Sequence, residues 1–551
     1  MSFSYLNRTA ITTLLAATLT AGITGCSSDG GTATTTIDGS VFASAVNGAN
    51  CQIKDISGNV IVDSIITSAN GNYSANIPNT SLTSDLVLIC NGGTYTNESD
   101  GTSQTAGMLA AFADGSTLST GVSLHATPES TIMHRLRTQH QMTLAEAETA
   151  FNNAFGYTPD NTIAPTDATA PGAEATDEEK LAGLRAATFS QLTLDLGLTA
   201  AQQFDLLLAL ADDLSDGTLN GQNTAGSVSV ASSALPADIQ NKFTIAMLNF
   251  RDTDNGGRDA SGLSNSMIGI PPFAKIAISD SYTVEYIEGM MGAMEGKSQF
   301  QIRVTDGAGA PVSSTVSLMP MMYMDDKNHS SPVDGNCVET STAGTYDCIM
   351  YYVMASVMMD GMSMGYWDIK VMIGGMMGES VHFFPQVMMA MNGTALVKQK
   401  NEYDTIMNME GGADARTFLL FKSNLSGMTG NHTFELFTAT METMMSFPAV
   451  TSTTTLGIGT GNELVISSMS IEVSTDPTFV SDSVMATEDG NGYWTAAGIT
   501  GLINDVEGEL YVRMVINGLT YNSSIDGVYI DEATTPSYAT FTVTPSMPMS
   551  M

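Results

Sequence analysis

The chain has 551 residues, more than a single hydrophobic core usually organises, so several domains are expected. It carries 57 Asp and Glu against 19 Lys and Arg, a formal net charge of −38 that is spread along the sequence. Such a surface repels polyanions, which argues against nucleic acid or anionic lipid as a partner.

The N-terminus has the pattern of an export signal. Arg8 precedes a short apolar run, 10–23, which is too short to span a bilayer stably, and no later run is long enough. The run ends in Ile-Thr-Gly-Cys26, which resembles the lipobox of bacterial lipoproteins. The resemblance implies a signal peptide at 1–25, a lipidated Cys26 and a tether at 26–35. Because no Asp directly follows the cysteine, it also implies an outer-membrane lipoprotein, held by its lipid and facing the periplasm or the cell surface.

The other four cysteines form two local pairs. In an exported protein such pairs indicate disulfides, here Cys51–Cys90 and Cys337–Cys348. For the second pair the alternative is two reduced thiols that bind a metal, although a spacing of eleven residues resembles no zinc motif.

Residues 36–125 alternate short β-like runs with turn signals. The runs 40–43, 52–55 and 85–89 are separated by Gly58-Asn59 and by Asn70-Gly71-Asn72. The layout G-x-V, C-x-I-K-D, N-G-x-Y-S and I-P resembles the carboxypeptidase regulatory-like domain. That resemblance implies a small β-sandwich that serves as a spacer or an adhesion module.

A helical period replaces this alternation over 126–225. Thr127, followed by Pro128 and Glu129, predicts an N-cap and the first turn of a helix, and 204–214 indicates a second helix. The nearby His125, His134 and His140 are expected at the surface, because the spacing of the last two does not place them on one helical face.

Residues 226–268 fall in a stretch rich in Gly, Ser, Asn and Asp and are expected to form a linker. The segment 252–257 hints at a calcium loop. It fails the EF-hand pattern, because Leu263 stands where Glu is needed, so an acidic turn is expected.

Residues 290–391 hold about half of the 37 methionines in under a fifth of the length. Five doublets recur, namely Met290-Met291, Met321-Met322, Met358-Met359, Met376-Met377 and Met388-Met389. Consecutive strand residues face opposite sides of a sheet, so one methionine of each strand doublet would lie outside a one-sided core. Core filling therefore explains only part of the excess.

The thioether is a soft, neutral ligand that favours Cu(I). It needs no deprotonation, and it survives in an oxidising compartment where free thiols would pair. Two alternatives stay open: flexible packing of a core, and a reversible sink for oxidants.

A family resemblance joins these methionines to a fold. The segment V-S-L-M-P-M-M-Y-M at 316–324, His329, Gly344-Thr-Tyr346 and M-G-Y-W-D-I-K-V at 364–371 resemble the YtkA-like family. That family consists of small immunoglobulin-type sandwiches associated with copper, which implies a Met-rich β-sandwich at 269–400. The predicted Cu(I) or Ag(I) site consists of Met319, Met321, Met322, Met324 and His329, with Met362, Met364 and Trp367 beside it.

Three details accompany this site. Met319 and Met321 are expected on one face of a strand, with Pro320 ending regular pairing at an edge. Trp367 either caps the ion or fills the sandwich core. His382 has apolar neighbours and is expected to be a strand histidine with its hydrogen bonds satisfied.

Residues 401–551 return to β alternation, for example at 417–421 and 509–515, and predict one or two further sandwich domains. The expected fold class is therefore mainly β, with tandem immunoglobulin-like β-sandwiches and a helical segment between the first and the second. The sequence contains no G-x-S-x-G, H-E-x-x-H, phosphate loop or C-x-x-C-H motif, and no enzyme is expected.

Two functions remain. The first is an exported lipoprotein that captures, buffers or delivers Cu(I) or Ag(I). The second is a structural or adhesive surface lipoprotein that displays a Met-rich face to a protein partner.

Overall fold

The computed structural model describes residues 33–113, 123–269, 272–375, 377–407, 412–524 and 534–546. The predicted signal peptide and Cys26 lie outside these residues. The described chain is mainly β and builds tandem sandwiches of antiparallel sheets, which confirms the predicted fold class. No helix in the described ranges is both long and apolar enough to cross a membrane.

The first unit opens with β-strands in a four-stranded sheet of order β3-β2-β5-β8 and in the pairs β1-β4 and β6-β7. Cys51 lies opposite Cys90 in the β2-β5 register, and the two form the predicted disulfide. The strands are β1 (Thr34–Ser40), β2 (Asn50–Asp55), β3 (Val60–Ile66), β4 (Asn72–Pro78), β5 (Leu86–Asn91), β6 (Thr94–Thr96), β7 (Ser103–Thr105) and β8 (Leu109–Ala113).

Helices complete this unit. Thr127 caps the first helix as predicted, because its hydroxyl accepts a hydrogen bond from the Ser130 amide at 3.2 Å and Pro128 occupies the first turn. Thr143 and Thr176 cap the next two helices in the same way. The helices are α1 (Pro128–Thr138), α2 (Leu144–Phe155), α3 (Asp177–Asp195), α4 (Gln203–Asp213), α5 (Ile239–Arg251) and α6 (Asn265–Ile268), with 3-10 turns at Asn79–Ser81, Ala200–Gln202, Leu214–Asp216 and Thr253–Asn255.

The predicted linker at 226–268 is wrong for its central part, which forms α5. Ile239, Phe243, Ala246 and Phe250 recur at helical spacing and are buried. Ile239, Phe243 and Ala246 join one hydrophobic core with the strands and with helices α1 to α4, so the sandwich and these helices share a core. Short strands lie between α4 and α5, namely β9 (Gln222–Asn223), β10 (Gly226–Ser227), β11 (Ser229–Val230) and β12 (Ser233–Ala234).

The histidines of this unit are not all at the surface. His125 is buried, and its Nδ1 accepts a hydrogen bond from the Ser40 amide at 3.1 Å. His134 is half-buried, and its Nδ1 has no hydrogen-bond partner among the residues that the structure describes. His140 is half-buried against Asp212, at 2.7 Å.

The second unit is a two-sheet sandwich, with sheets of order β13-β14-β15-β19-β18 and β17-β16-β20-β21. Cys337 and Cys348 form the second predicted disulfide, which excludes the reduced metal-binding pair. The strands are β13 (Ile276–Ile278), β14 (Tyr282–Ile287), β15 (Gly296–Asp306), β16 (Val316–Tyr323), β17 (Asn328–His329), β18 (Val338–Glu339), β19 (Thr345–Tyr352), β20 (Tyr366–Ile373) and β21 (Glu379–Phe383).

The third unit packs a sheet of order β31-β32-β26-β25-β22-β35 on a sheet that contains β30-β29-β33-β34 and β36. Its core includes Trp494 and Met514. The strands are β22 (Leu396–Lys400), β23 (Thr405–Met407), β24 (Ala413–Ala415), β25 (Thr417–Met428), β26 (Asn431–Met441), β27 (Thr455–Leu456), β28 (Leu464–Val465), β29 (Met469–Ser474), β30 (Ser483–Met485), β31 (Thr487–Glu488), β32 (Tyr493–Ile499), β33 (Gly508–Ile516), β34 (Leu519–Thr520), β35 (Asn522–Ser524) and β36 (Ala539–Val543).

Direct contacts join the three units. Between the first and the second, the Ile278 amide donates to the Asp238 carboxylate at 2.8 Å. Between the second and the third, the Tyr493 hydroxyl donates to the Asp334 carboxylate at 2.7 Å, and Tyr351 stacks on Phe437 with ring centroids 4.3 Å apart. The second sandwich is thus held on both sides by its neighbours.

Candidate metal centre

Strand β16 carries most of the predicted ligands and divides them between two faces. Val316, Leu318, Pro320 and Met322 are buried, while the residues between them are more exposed. This is the period of two that a strand with one buried face requires. Met319 and Met321 therefore share the outer face, as predicted, and Met322 lies on the inner face.

The inner face brings Met322, His329 and Trp367 together. Met322 is fully buried and lies opposite His329 in β17 on one side and opposite Trp367 in β20 on the other. The imidazole and indole rings meet edge-on, with centroids 5.4 Å apart. These three residues are called the inner trio below.

Two backbone features place the inner trio. The prediction that Pro320 ends regular pairing is wrong, because β16 continues in register with β20 as far as Tyr323. On its other side β16 pairs with β17 through Met322 and Tyr323 and forms a bridge to Cys337 through Val316, and Pro320 lies between these pairings, where a proline is tolerated. Gly365, at φ +123°, lets the start of β20 approach β16, since a Cβ there would lie 2.1 Å from the Tyr323 carbonyl oxygen.

His329 presents one free ring nitrogen. Its Nδ1 lies 2.8 Å from the Ser330 carbonyl oxygen, which can only accept, so Nδ1 carries the proton. Its Nε2 then holds a lone pair and forms no hydrogen bond with any residue in the described ranges. Burial is the main cause that lowers the pKa of His329 below 6.5; the hydrogen bond to Ser330 opposes this, and the charges of Lys327 and Lys398 add to it. The imidazole is thereby kept neutral, the form that binds metal.

Further thioethers surround the trio. Met324 and Met364, both predicted, are half-buried and pack against the core that contains Met322 and Trp367. Met354, which the sequence did not single out, packs there too, and its carbonyl oxygen accepts a hydrogen bond from the Trp367 indole at 3.1 Å. Trp367 is fully buried, so it fills the sandwich core whether or not it also faces an ion.

The donor set near His329 fits Cu(I). It consists of thioethers and one neutral imidazole nitrogen, which are soft or intermediate ligands. Throughout the ranges that the structure describes, no three His, Cys, Asp or Glu side chains converge as a metal site.

The outer face of β16 offers a different environment. Met321 lies opposite Asp368, and Met319 lies opposite Lys370. The Asp368 carboxylate accepts a hydrogen bond from Nδ1 of His382 at 2.9 Å, so His382 is the satisfied strand histidine that was predicted. Met319 and Met321 are therefore separated from the inner trio by the sheet itself.

Met362 is exposed, on the loop between β19 and β20. The eight predicted residues therefore fall into three places: the inner trio with Met324 and Met364, the outer pair Met319 and Met321, and Met362 on a loop. One ion cannot contact all of them.

Comparisons with known proteins give no family. No protein-family model matches the sequence, and no curated relative does. Among solved structures, the Escherichia coli adhesin FdeC is 10% identical, with 49% of this chain and 67% of that chain covered and a TM-score of 0.14. Domains 5-6 of the S-layer protein SbsC are 12% identical, with 46% and 99% covered and a TM-score of 0.15. Tandem Ig repeats of Dlar are 8% identical, with 49% and 100% covered and a TM-score of 0.11. No assignment of function rests on likenesses of this size.

Proposed function

We propose that this protein is an exported, lipid-anchored protein of the outer membrane that binds Cu(I) or Ag(I) through its second β-sandwich. The observation that carries the proposal is the inner trio. A buried thioether, Met322, lies next to a buried imidazole, His329, whose Nε2 has no hydrogen-bond partner among the described residues.

The surroundings of the trio support this chemistry. Thioethers bind a metal without losing a proton, and the neutral state of His329 leaves the electron pair of its Nε2 free to bind a metal ion. Both cysteines of this sandwich are joined in a disulfide, so no thiolate competes within it. Two disulfides also favour an oxidising compartment, where thioethers are the sulfur ligands that persist.

The test is an anaerobic titration of the mature full-length chain with Cu(I) against a competing chelator. We expect binding tighter than about micromolar. Met322→Leu should weaken that binding at least tenfold, since leucine fills the same volume without sulfur and the fold should survive. Met514→Leu is the matched control, because it removes another fully buried strand methionine from a different sandwich.

Two results would contradict the proposal. Equal affinity of Met322→Leu and Met514→Leu would remove the inner trio from the site. Failure of the intact chain to bind more tightly than about micromolar would remove Cu(I) as the cargo.

A second function is favoured by a separate observation. Three sandwich units are joined by direct contacts through hydrogen bonds and stacked rings, and this suits a protein that spaces or presents surfaces. On this alternative the chain is a structural or adhesive surface lipoprotein with a protein partner and no metal. Absence of Cu(I) binding, together with loss of cell-surface adhesion in a deletion strain, would favour it.

A further inference from the structure

The topology of the second sandwich collects three methionine-bearing loops at one end. In the antiparallel registers, Gly296 at the start of β15 lies opposite Tyr352 at the end of β19, and Phe383 at the end of β21 lies opposite Ile369 near the start of β20. The loops 288–295, 353–365 and 384–395 therefore leave the sandwich at the same end. These three segments are called the end loops.

Backbone hydrogen bonds hold the end loops together. The Met388 amide donates to the Ala293 carbonyl oxygen at 3.1 Å, and the Met388 carbonyl accepts from the Glu295 amide at 2.9 Å. On its other side Met388 forms a bridge with Val357. The middle loop closes on itself, since the Met358 amide donates to the Met362 carbonyl oxygen at 2.9 Å. Met388 thus lies between the two other loops.

The end loops expose their thioethers to an unusual degree. Seven of their methionines are between 39% and 102% exposed, namely Met290, Met291, Met359, Met362, Met388, Met389 and Met391. Burying a methionine is worth about 1.5–3 kcal/mol, and these side chains forgo from about two-fifths to all of that gain. Packing of a core does not explain their presence, although it does explain fully buried methionines such as Met350.

Charge favours a cation at this place. The end loops contain Glu288, Glu295 and Asp360 and no Lys, Arg or His; Glu288 pairs with Lys275, outside the loops, at 2.6 Å, which leaves Glu295 and Asp360 as the acids without such a pair among the described residues. They also contain no Trp, Tyr or Arg, the residues that usually anchor a protein partner. Their one aromatic residue, Phe384, is buried. A soft cation therefore matches the end loops better than a protein surface does.

We infer that the end loops form a second, solvent-accessible site that binds Cu(I) or Ag(I) through two or three thioethers, separate from the inner trio. The inference rests on the proposed function for the identity of the ion and uses other residues. Methionine side chains are long and flexible, and the backbone bonds already hold their loops side by side.

The test compares two triple variants of the full-length chain. Met291→Leu, Met359→Leu and Met388→Leu remove one exposed sulfur from each end loop. Met407→Leu, Met428→Leu and Met485→Leu form the matched control, because these methionines are comparably exposed and lie in the third unit. Neither set removes a buried side chain, so both variants should fold.

The readouts are the Ag(I) stoichiometry under anaerobic conditions and peroxide footprinting with and without Ag(I). We expect the end-loop variant to lose one bound equivalent that the control keeps. We also expect Ag(I) to protect Met290, Met362 and Met389 from conversion to sulfoxide in the intact chain.

The possible outcomes separate this inference from the proposed function. If the end-loop variant binds as many equivalents as the control while Met322→Leu loses one, the second site is refuted and the inner trio stands. If the end-loop variant loses an equivalent while Met322→Leu loses none, the second site stands and the inner trio is refuted. Equal losses in both triple variants would mean unspecific binding to any exposed thioether, which overturns the inference.

Discussion

Acid should destabilise the first unit through His125, and the structure sets the size of the effect. Nδ1 of this buried side chain accepts hydrogen bonds from the amide and the hydroxyl of Ser40, at 3.1 and 2.8 Å. Protonation would place a hydrogen on Nδ1 and remove the acceptor that the Ser40 amide needs. Burial is the main cause that lowers the pKa of His125 from 6.5 to about 4, against the charges of Asp160 and Glu179, which raise it.

The sign of the change in stability with pH follows from the direction of this pKa shift. A histidine whose folded pKa lies below its unfolded value contributes stability that is fully present above pH 6.5 and is lost as the pH falls through about 4. With those two values the contribution lost is about 2 kcal/mol at pH 5, and it approaches about 3 kcal/mol below pH 4. Asp213 in the same unit has a pKa raised by burial to about 6. Its protonation on acidification therefore stabilises the folded unit, in the opposite sense to that of His125. The effect of His125 must therefore be measured as a difference from a variant.

The variant is His125→Asn, whose amide oxygen can still accept from the Ser40 amide but does not titrate in this range. Opening free energies of α1 and α2, measured by hydrogen exchange and corrected for intrinsic rates, report on this unit alone. Between pH 7.5 and pH 5, the opening free energy of these helices should fall by about 2 kcal/mol more in the intact chain than in the variant. If the opening free energies of the two proteins changed in parallel with pH, the assignment of a buried, neutral His125 would be refuted.

Three further predictions concern the anchor, a disulfide and a buried ion network. Cys26→Ala should release the protein from membranes, because each acyl CH₂ buried in lipid contributes about 0.8 kcal/mol; sedimentation with outer membranes in high salt would contradict the anchor. Changing Cys51 and Cys90 to Ala opens a loop with a sequence separation of 39 and should cost about 4 kcal/mol in the chain-entropy model. Thermal unfolding checks this, and unchanged stability would show that the bond does not constrain the unfolded chain. Arg416→Met leaves the carboxylates of buried Asp404 and largely buried Glu442 without their cation and should cost about 3–5 kcal/mol. Urea unfolding followed by tryptophan fluorescence, in which Trp494 reports on the third unit and Trp367 on the second, checks it, and an equally stable variant would refute a charged network.

The sequence predicted those parts of the fold that local chemistry determines. Thr127 and Pro128 mark the start of α1 because a cap and a preset φ act within a few residues. Helix α5 was missed because a long stretch rich in Gly, Asn and Asp surrounds it. The apolar residues of Ile239–Arg251 recur at helical spacing only within that short window.

Strand alternation predicts on which face of β16 each candidate ligand lies, but it does not predict the neighbours of that ligand. Alternation in β16 places Met319 and Met321 on one face, and the structure agrees. The neighbours of Met322 depend on how β17 and β20 pair with β16, and that register is set by the whole sandwich. Pro320 was predicted to end the pairing, but whether a proline ends a strand depends on which side of the strand is free.

The positions of the methionine doublets could not be predicted from strand alternation. Only Met321-Met322 lies in a strand, whereas Met290-Met291, Met358-Met359 and Met388-Met389 lie between strands, and Met376 falls outside the described residues. Alternation therefore does not govern most of them. What brings them together is the antiparallel order of the sheets, which returns successive loops to the same end.

The placement of the methionines also decides between causes that composition leaves open. A need for flexible packing would distribute methionine through the cores of all three units, and buried examples such as Met350 and Met514 do exist. It would not place seven exposed thioethers on three hydrogen-bonded loops that contain no basic residue. An oxidant sink needs exposure but gains nothing from having its sulfurs side by side, because each methionine is oxidised independently. Convergence matters for a ligand that several side chains share, either a soft metal ion or a protein partner. Loops that contain acidic residues and no Trp, Tyr or Arg fit the metal ion better.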